Sequence, residues 1–98
     1  MKLLENKTVI ITGASRGIGK SIAVLFASHG ANIAFTSLKR DENVEILEKQ
    51  LNSFGIKAIG YVSDASNFED SLLLAENVMT DFGSIDVLVN NAGITKDN

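Results

Sequence analysis

The chain has 98 residues, of which 45% are hydrophobic and 21% are charged, and its net charge is −3. This length holds at most one domain, the apolar content excludes a disordered chain, and the acidic balance argues against a nucleic-acid binder, which would show a basic face. With no cysteine and a single histidine, the sequence excludes a disulfide scaffold, a thiolate metal site and most zinc sites, so we expect no metal.

The first half of the sequence predicts two strands around one helix. Residues 7–12 form a β-branched apolar run, typical of a strand buried on both faces. Residues 17–28 have the apolar spacing of a helix, and Gly30 follows as a C-terminal cap. The apolar face of this helix is predicted to consist of Ile18, Ile22, Leu25 and Phe26. Residues 32–37 predict the second strand, and residues 39–42 predict a charged loop.

Two more helices and two more strands are predicted in the second half. The second helix stops at Gly55, and residues 58–62 then predict the third strand. Ser66 and Glu69 have capping-box spacing at the start of a third helix, and residues 85–89 predict the fourth strand. The predicted apolar faces are Val44, Leu47, Leu51 and Phe54 in the second helix, and Leu72, Ala75, Met79 and Phe82 in the third.

The order of these elements is βαβαβαβ, with short connections. This alternation predicts an α/β fold, in which helices cover the faces of a parallel sheet. Because crossover connections are right-handed, strand order 3-2-1-4 is favoured. We therefore predict the N-terminal half of a doubly wound, Rossmann-type fold.

A glycine-rich turn between the first strand and the first helix is the most informative segment. Gly13 suits a tight turn, Gly17 lets backbone approach a phosphate, and Gly19 lets the helix pack close to the sheet. The N-terminus of the helix there offers unpaired N–H groups to a dinucleotide pyrophosphate. A turn without a ligand is the alternative interpretation. A P-loop is excluded, because no Gly-Lys-Ser/Thr follows at the required spacing.

The pattern Thr12-Gly13-x-x-x-Gly17-x-Gly19, followed by Asn90-Asn91-Ala92-Gly93 after the fourth strand, resembles the short-chain dehydrogenase/reductase family. The likeness covers essentially the whole chain, and residues 11–20 and 88–98 resemble the family's 3-oxoacyl-[acyl-carrier-protein] reductase branch. That branch implies reduction of a 3-oxoacyl thioester by NADPH in fatty-acid biosynthesis, an acyl-carrier-protein thioester as partner, and a homotetramer. A relative acting on a sugar, alcohol or steroid and a non-catalytic nucleotide-binding module remain alternatives.

The same resemblance implies a set of cofactor-binding residues. In the glycine turn they are Gly13, Ser15, Arg16, Ile18 and Gly19. After the third strand, the side chain of Asp64 and the backbone of Ala65 are expected to meet the adenine. After the fourth strand, Asn91, Ala92 and Gly93 are expected along the nicotinamide-side ribose, in a motif that also steadies the central strands. Asp64 is alternatively a loop-capping acid, and residues 91–93 are alternatively an ordinary turn.

The end of the second strand bears on which dinucleotide binds. An acid there usually binds the adenosine ribose diol and repels a 2′-phosphate, but Ser37 is uncharged. The guanidinium of Arg16 is suited to bidentate pairing with a phosphate. We therefore predict NADP(H), with NAD(H) as the alternative and Ser37 as part of the site. Residues 39–42 are alternatively a solvated charged loop.

The family's catalytic residues are a serine, a tyrosine and a lysine four residues after the tyrosine. The only tyrosine, Tyr61, lies in the third predicted strand and is followed four residues later by Ala65, so we predict a packing role. We expect residues 1–98 to be a truncated dinucleotide-binding domain with no catalytic residue. Its fourth strand would be an exposed edge, and the isolated chain would be marginally stable or associate.

The sequence shows no feature of export or membrane insertion. No apolar run approaches the ~20 residues of a membrane span. The first seven residues alternate apolar and charged side chains too quickly for a signal peptide. We therefore expect a cytoplasmic protein with neither a membrane nor a nucleic-acid partner.

Overall fold

Strands and helices alternate along residues 3–92, the part of the chain that the computed structural model describes. The strands are β1 (Thr8–Ile11), β2 (Asn32–Ser37), β3 (Ala58–Val62) and β4 (Val87–Val89). The helices are α1 (Gly17–Ser28), α2 (Glu42–Asn52) and α3 (Phe68–Phe82). The predicted βαβαβαβ order is confirmed. None of these three helices combines the length and the apolar character that a membrane span requires.

The four strands form one parallel sheet in the order β3-β2-β1-β4, as predicted. Ile10 of β1 pairs with Ala34 of β2 on one side and with Leu88 of β4 on the other. The two central strands are almost wholly buried, whereas Leu88 is exposed, so β4 is an edge strand as expected. The carboxyl ends of all four strands meet at one side of the sheet, where the glycine turn lies.

Each face of the sheet has its own apolar core. Helices α1 and α2 cover one face, where a large cluster includes Ile11, Phe35 and Leu47. Helix α3 covers the other face, where Leu74 and Val78 pack against the sheet. This two-sided covering explains why the central strands are apolar at nearly every position.

The predicted apolar face of α1 is wrong in part. Ile18 and Leu25 are exposed, and the buried residues are Gly19, Ala23 and Ala27, spaced four apart. Residues at this spacing lie on one side of a helix, and their small size lets the α1 backbone approach the sheet closely. Ile22 and Phe26 are only partly buried at the border of the core. The buried face of α1 is therefore the face with the smallest side chains, not the most hydrophobic one.

The predicted face of α3 is also wrong in part. Leu72 and Met79 are exposed, whereas Leu74 and Val78 are buried and Phe82 is half-buried. Apolar residues occur on most sides of this helix, so their spacing alone allows more than one face. In α2 the predicted face is correct for Val44, Leu47 and Leu51, while Phe54 lies beyond the end of the helix.

The segment predicted as a charged loop ends earlier than expected. Asp41 is the N-cap of α2, its Oδ1 accepting a hydrogen bond from the Val44 N–H at 3.2 Å, and Glu42 begins the helix. A carboxylate here satisfies a free N–H and complements the positive helix N-terminus. Residues 41 and 42 therefore belong to the start of α2 and not to the loop.

The N-cap of α3 is Asn67, not the predicted capping-box residue Ser66. The Asn67 Oδ1 accepts a hydrogen bond from the Asp70 N–H at 2.9 Å. Ser66 instead donates its hydroxyl to Asp64 Oδ1 at 2.7 Å. Asn and Ser are comparable caps, and the backbone path after β3 places Asn67 at the first turn.

We expect Asn67→Ala to lower the free energy of unfolding by about 1 kcal/mol, because it leaves an N–H of the first turn unpaired. Ser66→Ala should cost less than half as much, since it removes only an exposed loop hydrogen bond. Urea unfolding followed by circular dichroism measures both. Equal losses of unfolding free energy for the two variants would contradict the assignment of Asn67 as the N-cap.

Candidate functional site

A groove of about 1030 Å³ runs along the carboxyl ends of the strands. Its walls come from the turn after β1, the end of β2 with the loop that follows, the loop after β3 and the loop after β4. This is the position where the chain direction across the sheet reverses, since β2 and β4 lie on opposite sides of β1. A groove of this size and place suits a cofactor-sized ligand.

The N-terminus of α1 differs from those of the other two helices. Its N-cap residue, Arg16, makes no side-chain capping bond, and its first turn contains no acid. Asp41 and Asn67 cap α2 and α3, and both of those helices have acids in the first turn. The first N–H groups of α1 are thus left for an outside acceptor, in a positive field that favours an anion. The site therefore fits the pyrophosphate of a dinucleotide.

Two glycines shape the approach to this helix terminus. Gly17 has φ +67°, and a Cβ built on it meets no atom within 4 Å, so its backbone faces open space. At Gly19 a Cβ would lie 2.6 Å from Asn91 Nδ2 and 2.7 Å from the Gly13 oxygen. Gly19 thus lets α1 lie against the sheet, as predicted, while the open space at Gly17 is compatible with the predicted approach of a phosphate.

The loop after β4 is fastened to the turn after β1. Asn91, only 1% exposed, donates its Nδ2 to the Gly13 oxygen at 3.0 Å. The Thr12 hydroxyl accepts the Ala92 N–H at 3.0 Å and donates to Asn90 Oδ1 at 3.2 Å. Ala92 and Asn90 line the groove, whereas Asn91 holds the Gly13 turn from behind. Gly93 lies outside the described residues.

The buried Asn91 fits the expected role of steadying the central strands, while Asn90 and Thr36, which line the groove, are not among the predicted site residues. The Thr36 hydroxyl accepts the Gly13 N–H at 3.0 Å, so it also positions the turn. The available signal was position, since both residues stand at or just after the carboxyl end of a strand. Such ends form the ligand side of an open α/β sheet.

Beside the end of β2 the groove is lined by two cations and by one acid, Asp41, whose carboxylate caps α2. Ser37 is half-buried, and its Oγ lies 3.5 Å from Ser15 Oγ. Arg16 and Lys39 are both exposed and both line the groove. The fold thus brings the predicted residues Ser15, Arg16, Ile18 and Ser37 together in the groove wall. Lys39, which was not predicted, lines the same groove.

Arg40, next in sequence, points elsewhere. Its Nε lies 2.8 Å from Glu45 Oε2 and its Nη2 lies 2.5 Å from Glu48 Oε1. Burial alone would raise the pKa of Glu48, but the hydrogen bonds from Arg40 and the Gly60 N–H hold it below its usual value. Arg40 is thus exposed, as a charged loop predicts, but its guanidinium is held by α2 and is not part of the groove wall.

Asp64 and Ala65 lie at the far end of the groove, after β3, and both are exposed. Asp64 Oδ1 accepts hydrogen bonds from the Ser66 hydroxyl at 2.7 Å and the Ser66 N–H at 2.9 Å. These bonds, that of the hydroxyl first, lower the pKa of Asp64. Asp64 is thus a loop-capping acid and also part of the groove wall, so its two interpretations are compatible.

Tyr61 lies outside the groove. It packs on the α3 side of the sheet, as predicted, and its hydroxyl donates to Asp81 Oδ2 at 2.7 Å. Burial, and then the Asp81 carboxylate, raise the pKa of Tyr61 far above its usual value. The phenol therefore stays protonated and serves packing.

Comparison with known sequences finds the same relatives that the motifs indicate. Residues 7–98 match the family model for short chain dehydrogenases. A 3-oxoacyl-[acyl-carrier-protein] reductase of Staphylococcus epidermidis is 39% identical over 93 residues, covering 95% of this chain and 38% of the relative. One of Chlamydia muridarum is 38% identical over 96 residues, covering 98% of this chain and 39% of the relative. The chain thus spans less than two fifths of these curated relatives.

Solved structures agree in fold. The 2-keto-3-deoxy-D-gluconate dehydrogenase from Streptococcus agalactiae superposes with a TM-score of 0.81 at 46% identity, covering 95% of this chain and 35% of that one. NAD+-bound xylitol dehydrogenase has a TM-score of 0.83 at 33% identity, with coverages of 89% and 33%. A metagenomic short-chain oxidoreductase in complex with NADP has a TM-score of 0.83 at 35% identity, with coverages of 93% and 41%.

Proposed function

This chain belongs to the short-chain dehydrogenase family, and we propose that it is the NADP(H)-binding part of an oxidoreductase. The observation that carries the proposal is the uncapped N-terminus of α1, which opens onto a groove lined by Arg16 and Lys39. The bound dinucleotide supplies or accepts a hydride. The residues of this chain bind and orient it, and we assign none of them a catalytic role.

The pyrophosphate would lie against the first turn of α1. There the backbone N–H groups after Gly17 would donate to phosphate oxygens, and the helix field would favour the negative charge. Gly13 and Asn91 hold the turn in place behind the ligand. The adenine would lie toward Asp64 and Ala65 at the far end of the groove, and the nicotinamide-side ribose toward residues 90–93.

Two features near the β2 end favour a 2′-phosphate. Ser37 brings no negative charge to the position where an acid would bind a ribose diol. Arg16 and Lys39 bring two positive charges to the same part of the groove. Arg40 is not counted among them, because Glu45 and Glu48 hold its guanidinium. NAD(H) remains the second candidate, since a structural relative is named as NAD+-bound.

The sequence relatives favour a 3-oxoacyl thioester as substrate of the whole enzyme. Both relatives above are named for that reductase activity, whereas structural relatives are named for xylitol and a keto-deoxy sugar acid. An acyl-carrier-protein thioester as partner, a homotetramer, a role in fatty-acid biosynthesis and a cytoplasmic location belong to the same proposal. A non-catalytic nucleotide-binding module is the alternative of a different class.

Titration of the chain with NADPH and with NADH, followed by nicotinamide fluorescence, tests the binding proposal. We expect only weak binding from this chain alone, with NADPH bound more tightly than NADH. Ser37→Asp should weaken NADPH binding about tenfold or more and leave NADH binding equal or tighter, because the new carboxylate repels the 2′-phosphate. Gln50→Glu is the control, since it adds the same charge on the exposed side of α2.

Equal effects of Ser37→Asp and Gln50→Glu on NADPH affinity would refute the selectivity argument. Failure of the chain to bind either dinucleotide would refute the binding proposal as a whole. Reduction of an acetoacetyl thioester with NADPH separates an enzyme from a binding module, and we expect no turnover from this chain alone.

A further inference from the structure

The outer edge of β3 is the feature that the dinucleotide site leaves unexplained. β3 ends the sheet and pairs on one side with β2. Its odd-numbered residues face β2, as the hydrogen bonds from the Ile33 N–H to the Lys57 oxygen and from the Ser63 N–H to the Ser37 oxygen show. Residues 58, 60 and 62 therefore direct their N–H and C=O groups outward, where a further strand would pair.

One side chain of α2 satisfies both outward groups of Ala58. The Asn52 Oδ1 accepts the Ala58 N–H at 3.0 Å, and the Asn52 Nδ2 donates to the Ala58 oxygen at 3.1 Å. A carboxamide carries a donor and an acceptor side by side, as a peptide group does. Asn52 thus makes the two hydrogen bonds that a neighbouring strand would make.

Two side chains satisfy the outward groups of Gly60. The Glu48 Oε2 accepts the Gly60 N–H at 2.6 Å, and the Arg40 Nη1 donates to the Gly60 oxygen at 3.1 Å. Arg40 and Glu48 are also paired with each other, and Glu45 holds the guanidinium from the other side. This pairing keeps the donor and the acceptor fixed at the edge of the strand.

The spacing of the helix matches that of the strand. Glu48 and Asn52 lie four residues apart in α2, which is about 6 Å along a helix. Ala58 and Gly60 lie two residues apart in β3, which is about 6.6 Å along a strand. Gly60 also lets α2 come close, since a Cβ there would lie 2.7 Å from Val44 Cγ1. Successive outward positions of β3 therefore meet successive turns of α2.

We propose that Asn52, Glu48 and Arg40 take the place of a further strand and close the outer edge of β3 to strand addition. The closure extends over Ala58 and Gly60 and stops before Val62, which is 60% exposed. No side chain within residues 3–92 makes a hydrogen bond to the backbone of Val62. An unprotected edge strand pairs with other chains. The role of Arg40 is thus at the sheet edge, independent of any ligand in the groove.

Hydrogen exchange measured by NMR on the 98-residue chain tests the closure without any variant. The amides of Ala58, Gly60 and Val62 all point outward, so Val62 is an internal reference. We expect the Ala58 and Gly60 amides to exchange at least about fivefold more slowly than the Val62 amide, after correction for intrinsic rates. Equal exchange at the three positions would overturn the proposal.

Two substitutions then separate the contributions. Asn52→Ala should speed exchange at Ala58 about fivefold or more and spare Phe35, whose amide lies inside the sheet; Glu48→Ala should act in the same way on Gly60. Gln50→Ala, on the exposed side of α2, is the control and should change neither amide. Faster exchange at Phe35 would mean general unfolding, and the nearly isosteric pair Asn52→Leu and Glu48→Met, which keeps the side-chain volume but removes the acceptor oxygens, then repeats the test.

Opening the edge should also change association. The variant with both Asn52→Ala and Glu48→Ala should show a steeper rise of sedimentation coefficient with concentration than the unchanged chain. The Ala58 and Gly60 amides should regain protection at high concentration, as second copies pair on β3. Sedimentation identical to that of the unchanged chain, in a variant that keeps Phe35 protected, would refute closure as the function of these side chains.

Discussion

Gly19→Ala should lower the free energy of unfolding by about 2–3 kcal/mol, although alanine favours a helix over glycine by about 1 kcal/mol. The loss follows from contact, because the added Cβ would lie 2.6 Å from Asn91 Nδ2, 2.7 Å from the Gly13 oxygen and 2.8 Å from Ala14 Cα. Two of these atoms belong to the backbone of the turn. They can move away only if the turn and α1 separate.

Urea unfolding measures this effect, and Ser21→Ala in the same helix is the matched control. Ser21 is exposed, so its replacement should be neutral or stabilising by a few tenths of a kcal/mol. The sign of the Gly19 result is decisive, since a stabilised Gly19→Ala variant would mean that α1 does not lie this close to the turn. The same substitution should weaken dinucleotide binding, because Gly13 and Asn91 shape the groove.

Phe35→Ala should cost about 3–5 kcal/mol, the largest loss that we expect from one substitution. Phe35 is fully buried at 0% exposure in the centre of β2, and its ring lies against Gly60 of β3. Removing the ring leaves a cavity between the sheet and α2 that the backbone cannot close. For a chain of this size, such a loss is a large part of the total stability.

Phe68→Ala is the control for that experiment, because it deletes the same ring where the ring is 78% exposed. We expect a change within about 0.5 kcal/mol. Denaturant unfolding of both variants, at one protein concentration, gives the comparison. Similar losses at the two positions would contradict the burial of Phe35 on which the α2-side core depends.

The topology was predictable because local signals agree with one another. β-branched runs mark the strands, glycines at 13, 30, 55 and 83 lie near the starts or ends of elements, and right-handed crossovers leave few strand orders. The glycine turn was predictable as a candidate anion site for the same reason. A strand before it and a helix after it determine where its N–H groups point.

Side-chain partners distant in sequence were not predictable in this way. The motif predicts that Asn91 helps to steady the central strands, but only the structure identifies its partner, the Gly13 oxygen, 78 residues earlier. Arg40 reads as one cation of a charged loop, but it is paired with Glu45 and Glu48 and bonded to Gly60 on another strand. Charge and residue type define what a group can bind, while the fold defines what lies beside it.

The sequence by itself determined the order of elements, the parallel sheet and the position of the glycine turn before α1, because each depends on local periodicity and on the handedness of the chain. Only the tertiary structure decided which faces of α1 and α3 are buried, which residue caps α3 and which cations remain at the groove. Those outcomes depend on size and distance between elements, as when Gly19, Ala23 and Ala27 turn toward the sheet in place of Ile18 and Leu25.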